Sequence, residues 1–202
     1  LTNALKEKNI LVFGPTKEAS QLETSKSFTK NMCKLKKIPT GNYEIFSRDD
    51  DAKKFLREQP KPYVIKADGL AAGKGVLVSS DIEEGNKFIS SIFAGEIGTG
   101  KNKVIIEEYL EGQEMSAFFA IDRNTIKFVG SAQDYKRAYD HDRGPNTGGM
   151  GAFSPSPLLT KKTLSKIVNK IIKPTVKYMR EIGVEFSGIL YAGLILNKGE
   201  PK

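Results

Sequence analysis

At 202 residues, with 39% hydrophobic and 28% charged side chains, the chain can bury one core or two small ones, which excludes wholesale disorder. No apolar stretch approaches the roughly 18–20 residues that span a bilayer, and no signal-peptide pattern opens the chain. The net charge of +8 suits nucleic acid and a phosphate-rich substrate alike; it is mostly lysine spread along the chain, concentrated locally at Lys30, Lys34, Lys36 and Lys37, and it settles neither partner.

The single cysteine, Cys33, excludes an intramolecular disulfide and a cysteine metal cage, and fits a reducing cytoplasm. It lies on a Lys-rich helical stretch, far along the chain from the only histidine, His141, so a nucleophilic role has little support.

Ile10–Phe13 reads as a strand entering the Gly14-Pro15 turn. A helix is expected from about Ser20 to Lys37, stopped before Pro39. Asn42–Phe46 reads as a strand. Ser47 is the expected cap of a helix whose first turn carries Asp49, Asp50 and Asp51, acidic residues suited to a positive helix end. Tyr63–Ala67 and Val76–Ser79 are strands flanking a glycine-rich loop. Asp81 with Glu84 forms a capping-box-like start to a helix ending near Phe93.

Val104–Tyr109, Met115–Asp122 and Thr125–Gly130 read as further strands. Tyr135–Pro157 is rich in Gly, Pro and Asp and reads as a long functional loop. Leu164, Ile167, Val168, Ile171 and Ile172 recur at helical spacing, and Pro174 is expected to kink that helix. Gly188–Asn197 is an apolar strand, followed by a turn at Lys198-Gly199-Glu200. Strands follow one another without a regular β-α-β repeat, which predicts mixed or antiparallel sheets in an α/β (α+β) fold.

The segment Lys66-Ala67-Asp68-Gly69-Leu70-Ala71-Ala72-Gly73-Lys74-Gly75 carries the most chemistry. Its small side chains let backbone N–H groups approach phosphate oxygens, and Lys66 and Lys74 can add positive charge. It is not a Walker A loop, because Gly69 and Gly73 enclose three residues and Gly75 follows Lys74. Gly95 to Gly100-Lys101 has the right spacing, but Asn102 stands where a hydroxyl residue is needed. A ligand-free glycine hairpin is the bland alternative.

Several segments, in order, resemble the ATP-grasp ligases. Ser25-Lys26-Ser27-Phe28-Thr29-Lys30 resembles the family's early lysine motif, Lys66 its second phosphate-binding lysine, and Val104–Glu114 its adenine-holding hinge. Gln133–Arg137, Gly144–Pro155 and Gly188–Leu194 narrow the resemblance to the phosphoribosylamine–glycine ligase family. The resemblance implies an ATP-grasp fold with two α+β subdomains holding ATP. Residues 1–38 would be a linker from an absent N-terminal domain plus the first helix. Residues 39–110 would be the lid subdomain, and 111–202 a second subdomain ending before the metal-binding strand.

By the same resemblance Lys26, Lys66, Gly69, Gly73, Lys74 and Gly75 face the triphosphate. Glu107, Glu108, Tyr109 and Leu110 face the base, and Glu114 the ribose. Asp134, Lys136, Arg137, Pro145, Asn146, Thr147, Gly148 and Gly149 face glycine and 5-phosphoribosylamine. Read alone, Glu107 and Glu108 more often mark a solvated strand end than a ligand contact. Gly144–Ser154 could also be an Ω-type loop, and Asp140-His141-Asp142 a solvated charge cluster. The implied reaction is ATP-dependent ligation through glycyl phosphate, with Mg2+ or Mn2+ and no protein nucleophile. The expected metal ligands lie beyond Lys202, so the isolated chain is expected to be inactive. Another ATP-grasp carboxylate–amine ligase or a non-catalytic nucleotide-binding module remain the alternatives. No nucleic-acid or membrane partner is expected.

Overall fold

The computed structural model describes residues 1–71, 73–98, 103–123, 125–140 and 143–202, with the backbone alone described at 137, 143, 145 and 146. Two compact units form, Ser20–Leu110 on the one hand and Leu1–Ala19 with Glu111–Lys202 on the other. The chain opens with helix α1 (Thr2–Glu7), then enters the first unit with α2 (Gln21–Thr24), α3 (Lys26–Lys36), β1 (Tyr43–Phe46) and α4 (Asp49–Arg57). That unit continues with β2 (Tyr63–Ala67), β3 (Val76–Ser79), α5 (Ile82–Phe93) and β4 (Val104–Glu107). No helix of the described residues is long and apolar enough to cross a membrane.

In unit 20–110 the strands form one antiparallel sheet in the order β1-β4-β2-β3. Side chains alternate across a strand, so Tyr63, Ile65 and Ala67 share a face with Val104 and Ile106. That face packs with Ala52 and Leu56 of α4 and with Ile89 and Ile92 of α5. Full burial of Leu56, Ile65 or Ile89 contributes about 1.5–3 kcal/mol each relative to exposure. Lys66 and Glu107 fall on the opposite face, because Val64 pairs with Glu107 and Lys66 with Ile105.

Two caps differ from expectation. The acidic first turn of α4 is present, but Arg48 rather than Ser47 holds the N-cap position, with no side-chain bond. Asp81 does cap α5, accepting from Glu83 N at 2.9 Å. Its expected partner Glu84 instead accepts from the Ser79 hydroxyl, so the box does not close.

The second unit contains β5 (Gln113–Asp122), β6 (Thr125–Asp134), β7 (Arg137–Tyr139), β8 (Arg143–Asn146) and β9 (Ala152–Phe153). Helix α6 (Lys161–Ile167), a π-helical turn (Val168–Ile172), α7 (Lys173–Glu181), β10 (Gly188–Asn197) and β11 (Glu200–Pro201) follow. Its main sheet runs β11-β10-β5-β6-β9, with all pairs antiparallel. Leu190, Ala192 and Leu194 oppose Phe119, Ala117 and Met115, and all six are buried on one face. Ile167, Ile172, Val176 and Met179 of the helical segment supply further buried apolar surface.

Two expectations are corrected in this unit. Ile10–Phe13 is not a strand, since no strand among the described residues pairs with it, and Ile10, Leu11 and Phe13 are exposed. The Tyr135–Pro157 stretch is not one irregular loop. It folds into the β7–β8 hairpin, and β9 returns to pair with β6. Before Pro174 the chain widens into the π-helical turn, and α7 begins with that proline in its first turn. The wider turn accommodates a residue that lacks an N–H to donate.

Candidate functional site

The expected single helix over 20–37 is broken at Ser25, whose extended backbone (φ −140°, ψ 103°) separates α2 from α3. The Ser25 hydroxyl accepts from Phe28 N at 3.3 Å, satisfying one of the helix's unpaired first-turn donors. The break makes Lys26 the first residue of α3. Lys26 and Lys30, four apart, then lie on one side of the helix.

Lys26 Nζ donates to the carbonyls of Ala67 at 3.0 Å and Gly69 at 2.8 Å, at the root of the glycine-rich loop. Beside it Asp68, only 3% exposed, accepts from Ser27 N (3.1 Å), Ser27 Oγ (2.6 Å) and its neighbour Gly69 N (3.1 Å). Ser25 Oγ lies 3.4 Å from both Asp68 oxygens. Charge-assisted bonds of this kind are among the stronger ones in proteins. They fasten the start of α3 to the loop. Burial lowers the pKa of Lys26; the Asp68 charge works against that shift and the Lys66 charge adds to it.

On the same face of the sheet, Glu107 Oε2 accepts from Lys66 Nζ at 2.9 Å and pairs with Lys30 Nζ at 3.1 Å. Lys30 also donates to Thr40 Oγ1 at 2.7 Å and stands 5.4 Å from the Tyr43 ring centroid. Burial pulls the Lys30 ammonium below the usual lysine range, although Glu107 opposes it. Cys33 is buried nearby, and burial pushes its thiol up, away from the thiolate that nucleophilic chemistry needs.

Between β2 and β3 the loop is shaped by its small residues. Gly69 and Gly73 adopt positive φ, 93° and 79°, which favours glycine. A Cβ on Gly75 would lie 2.5 Å from Ala71 Cβ, so only glycine fits there. Lys74 N donates to Ala71 O at 2.8 Å, while its side chain is exposed.

After β4 the chain passes through Glu108, Tyr109 and Leu110. Glu108 N is already committed to Asn42 O at 2.9 Å, and its carboxylate accepts from Asn42 Nδ2 at 2.6 Å. Tyr109 is half exposed.

In the other unit Lys136 Nζ donates to Glu114 Oε2 at 2.9 Å and lies 3.8 Å from Asp134 Oδ1. Burial pulls its pKa down, but the Glu114 hydrogen bond and charge, with Asp134, outweigh that and hold it above the usual lysine value. Gln133 braces the same strands, donating to Glu114 O at 3.1 Å and accepting from Ser156 Oγ at 2.9 Å.

Thr147 N and Oγ1 both donate to Lys136 O, at 2.6 and 2.9 Å, and Gly149 N donates to Thr147 Oγ1 at 3.0 Å. The Thr147 hydroxyl proton is thus spent on holding the loop. Gly148 and Gly149 follow with open space around them. The side chains of Arg137, Pro145 and Asn146 lie outside the described residues, as do His141, Asp142, Ala72 and the Gly100-Lys101-Asn102 segment.

Lys30 and Asp68 were not singled out as site residues from the sequence. The i, i+4 spacing of Lys26 and Lys30 was a visible signal for Lys30. Nothing in the loop's composition distinguished Asp68.

A family model for the phosphoribosylglycinamide synthetase ATP-grasp (A) domain matches residues 24–202. Over its whole length the chain is 46% identical to phosphoribosylamine–glycine ligase of Brucella melitensis biotype 1, covering 47% of that relative. It is 48% identical to the chloroplastic phosphoribosylamine–glycine ligase of Arabidopsis thaliana, covering 38% of it. The structure is similar to crystalline phosphoribosylamine–glycine ligase from Thermotoga maritima, with a TM-score of 0.86 and 39% identity over 94% of this chain and 48% of that one. The chain spans less than half the length of these relatives.

Proposed function

We propose, because the chain belongs to the phosphoribosylglycinamide synthetase ATP-grasp (A) domain family, that it supplies the nucleotide-holding part of a ligase joining glycine to 5-phosphoribosylamine. The products are glycinamide ribonucleotide, ADP and phosphate, a step of purine biosynthesis that we place in the cytoplasm. A carboxylate oxygen of glycine attacks the γ-phosphorus of ATP, the bond to the β-phosphate oxygen breaks, and ADP leaves. The amine of phosphoribosylamine then attacks the carbonyl carbon of glycyl phosphate. Phosphate departs with the bonding electron pair, and the nitrogen loses a proton.

Such chemistry asks the protein for positioning and charge neutralisation rather than a nucleophile. The observation that carries the reading is the side-chain-poor loop rooted between Lys66 and the Lys26 ammonium. Lys26 and Lys66 face the triphosphate in this reading, with the N–H groups of Gly69, Gly73 and Gly75 and the exposed Lys74. Exchanging the carbonyls of Ala67 and Gly69 for phosphate oxygens keeps the Lys26 ammonium hydrogen-bonded. Glu107 and the backbone of Glu108–Leu110 hold the base, and Glu114 the ribose. Asp134, Lys136, Arg137, Pro145, Asn146, Thr147, Gly148 and Gly149 form the glycine and phosphoribosylamine side.

The reading also implies a divalent cation, magnesium or manganese. Among the described residues no three His, Cys, Asp or Glu side chains gather as a cation site.

ATP titrated into the labelled chain should shift the amide signals of Gly69–Gly75 and Glu108–Leu110 and leave α4 and α5 unmoved. Shifts confined to surface lysines, or none at all, would remove the basis of the reading. Product analysis of a full-length family member with glycine replaced by other amino acids then tests the acceptor.

A further inference from the structure

We infer that Lys30 is a positioning residue of the nucleotide site: by sharing one Glu107 oxygen with Lys66, it leaves Lys66 a net positive charge to present to a triphosphate. The inference rests on the ATP-binding reading above and goes beyond it by adding a residue that need not touch the nucleotide.

Lys66 and Glu107 alone would be a neutral pair, with little attraction for an anion. Adding Lys30 on the same oxygen, at 3.1 Å beside 2.9 Å, makes two cations to one anion. The surplus charge is not shared evenly. The Lys30 side chain is 12% exposed and held by Thr40 Oγ1 and the Tyr43 ring, whereas Lys66 is 27% exposed. Lys30 therefore serves as the fixed counter-ion of Glu107, and the accessible charge appears at Lys66.

The carboxylate is held through Oε2 alone. Its other oxygen, Oε1, is buried without a hydrogen-bond partner among the described residues, so no competing donor neutralises Glu107. The other acidic group near the loop, Asp68, is engaged with Ser27 and Gly69.

The test compares ATP affinity by calorimetry in the unaltered chain, Lys30→Met, Lys30→Arg and the double variant Lys30→Met/Glu107→Gln. Adenosine, followed by amide shifts, is the uncharged probe. Lys30→Met should weaken ATP binding on the order of 10- to 100-fold, as expected for losing a charged hydrogen-bond partner, with adenosine binding unchanged. Lys30→Arg should retain ATP affinity, because the charge remains.

The double variant is the decisive arm, since it restores the net charge of the cluster and strands no carboxylate. Because Glu107 also lies on the base side, the readout is the ratio of ATP to adenosine affinity, which should return to within about threefold of the unaltered chain's, the signature of strong coupling between the two sites. This variant also serves if Lys30→Met alone fails to fold. Equal ATP affinity in Lys30→Met, equal loss of ATP and adenosine in that variant, or a double variant whose ATP-to-adenosine ratio stays as low as the single one's overturns the inference. Absence of ATP binding in the unaltered chain overturns the nucleotide reading itself, and this inference with it.

Discussion

Replacing Asp68 with alanine removes the acceptor that ties the start of α3 to the glycine-rich loop. The carboxylate is 3% exposed and receives Ser27 N, Ser27 Oγ and Gly69 N. A buried donor left without its partner costs about 1–3 kcal/mol, and two backbone N–H groups are stranded here. Water entering the vacated space and the relief of a buried charge offset part of that loss. A net destabilisation of roughly 3 kcal/mol follows, close to what breaking a buried ionic contact costs. For a chain of this size each 1 kcal/mol lowers the melting temperature by about 2–4 °C, so a drop of roughly 6–12 °C is expected. Thermal and urea unfolding followed by circular dichroism measure it directly. Ser27→Ala, which loses the 2.6 Å hydroxyl bond and keeps the carboxylate, should cost only about 1 kcal/mol. If Asp68→Ala unfolds no more easily than Ser27→Ala, Asp68 is not the fastening described here.

Gly75→Ala should cost about 1–3 kcal/mol by overpacking, since its Cβ would meet Ala71 Cβ at 2.5 Å, and Ala71→Gly in the same chain should recover most of the loss in urea unfolding. Lys136→Met should remove an alkaline component of stability. Because the folded pKa of Lys136 is raised, its contribution is fully present below the unfolded value of about 10.4 and fades as pH rises through the folded pKa. The pair is partly exposed, so the effect at neutral pH should stay below about 1 kcal/mol. Denaturation curves for both proteins from pH 8 to 11.5 check the sign: the gap between them should close at the alkaline end, and a widening gap refutes the assignment.

Strands were legible where apolar side chains alternate on a half-buried face. β2 and β3 fall at the residues their β-branched composition indicates, because their own packing decides their ends. Ile10–Phe13 has the same composition and no ladder partner, and pairing cannot be read from a run of residues in isolation. Caps were harder. Ser25 interrupts the helix because a buried carboxylate 43 positions away draws in the serine hydroxyls, a contact no local pattern encodes. The hairpin inside Tyr135–Pro157 escaped for a related reason. Its strands are three and four residues long and rich in Gly, Pro and charge, so periodicity has too little length to register. The site's lysines were visible through spacing and the glycine loop beside them. The sharing of Glu107 between two ammonium groups follows from sheet order, which places β4 between β1 and β2.

That placement also guards the folding of the sheet. Lys66 and Glu107 belong to a strand pair whose reverse side is wholly apolar. A slip of β2 by one residue would turn the lysine inward among Leu56, Ile89 and Ile92 and leave its carboxylate stranded outside. The misaligned pairing would bury an uncompensated charge, a penalty of several kcal/mol that the apolar strands alone could not impose. The ionic contact thus rejects wrong alignments as the sheet forms. Substitutions that neutralise both groups should then be watched for heterogeneous or aggregating product, even where the folded molecules bind normally.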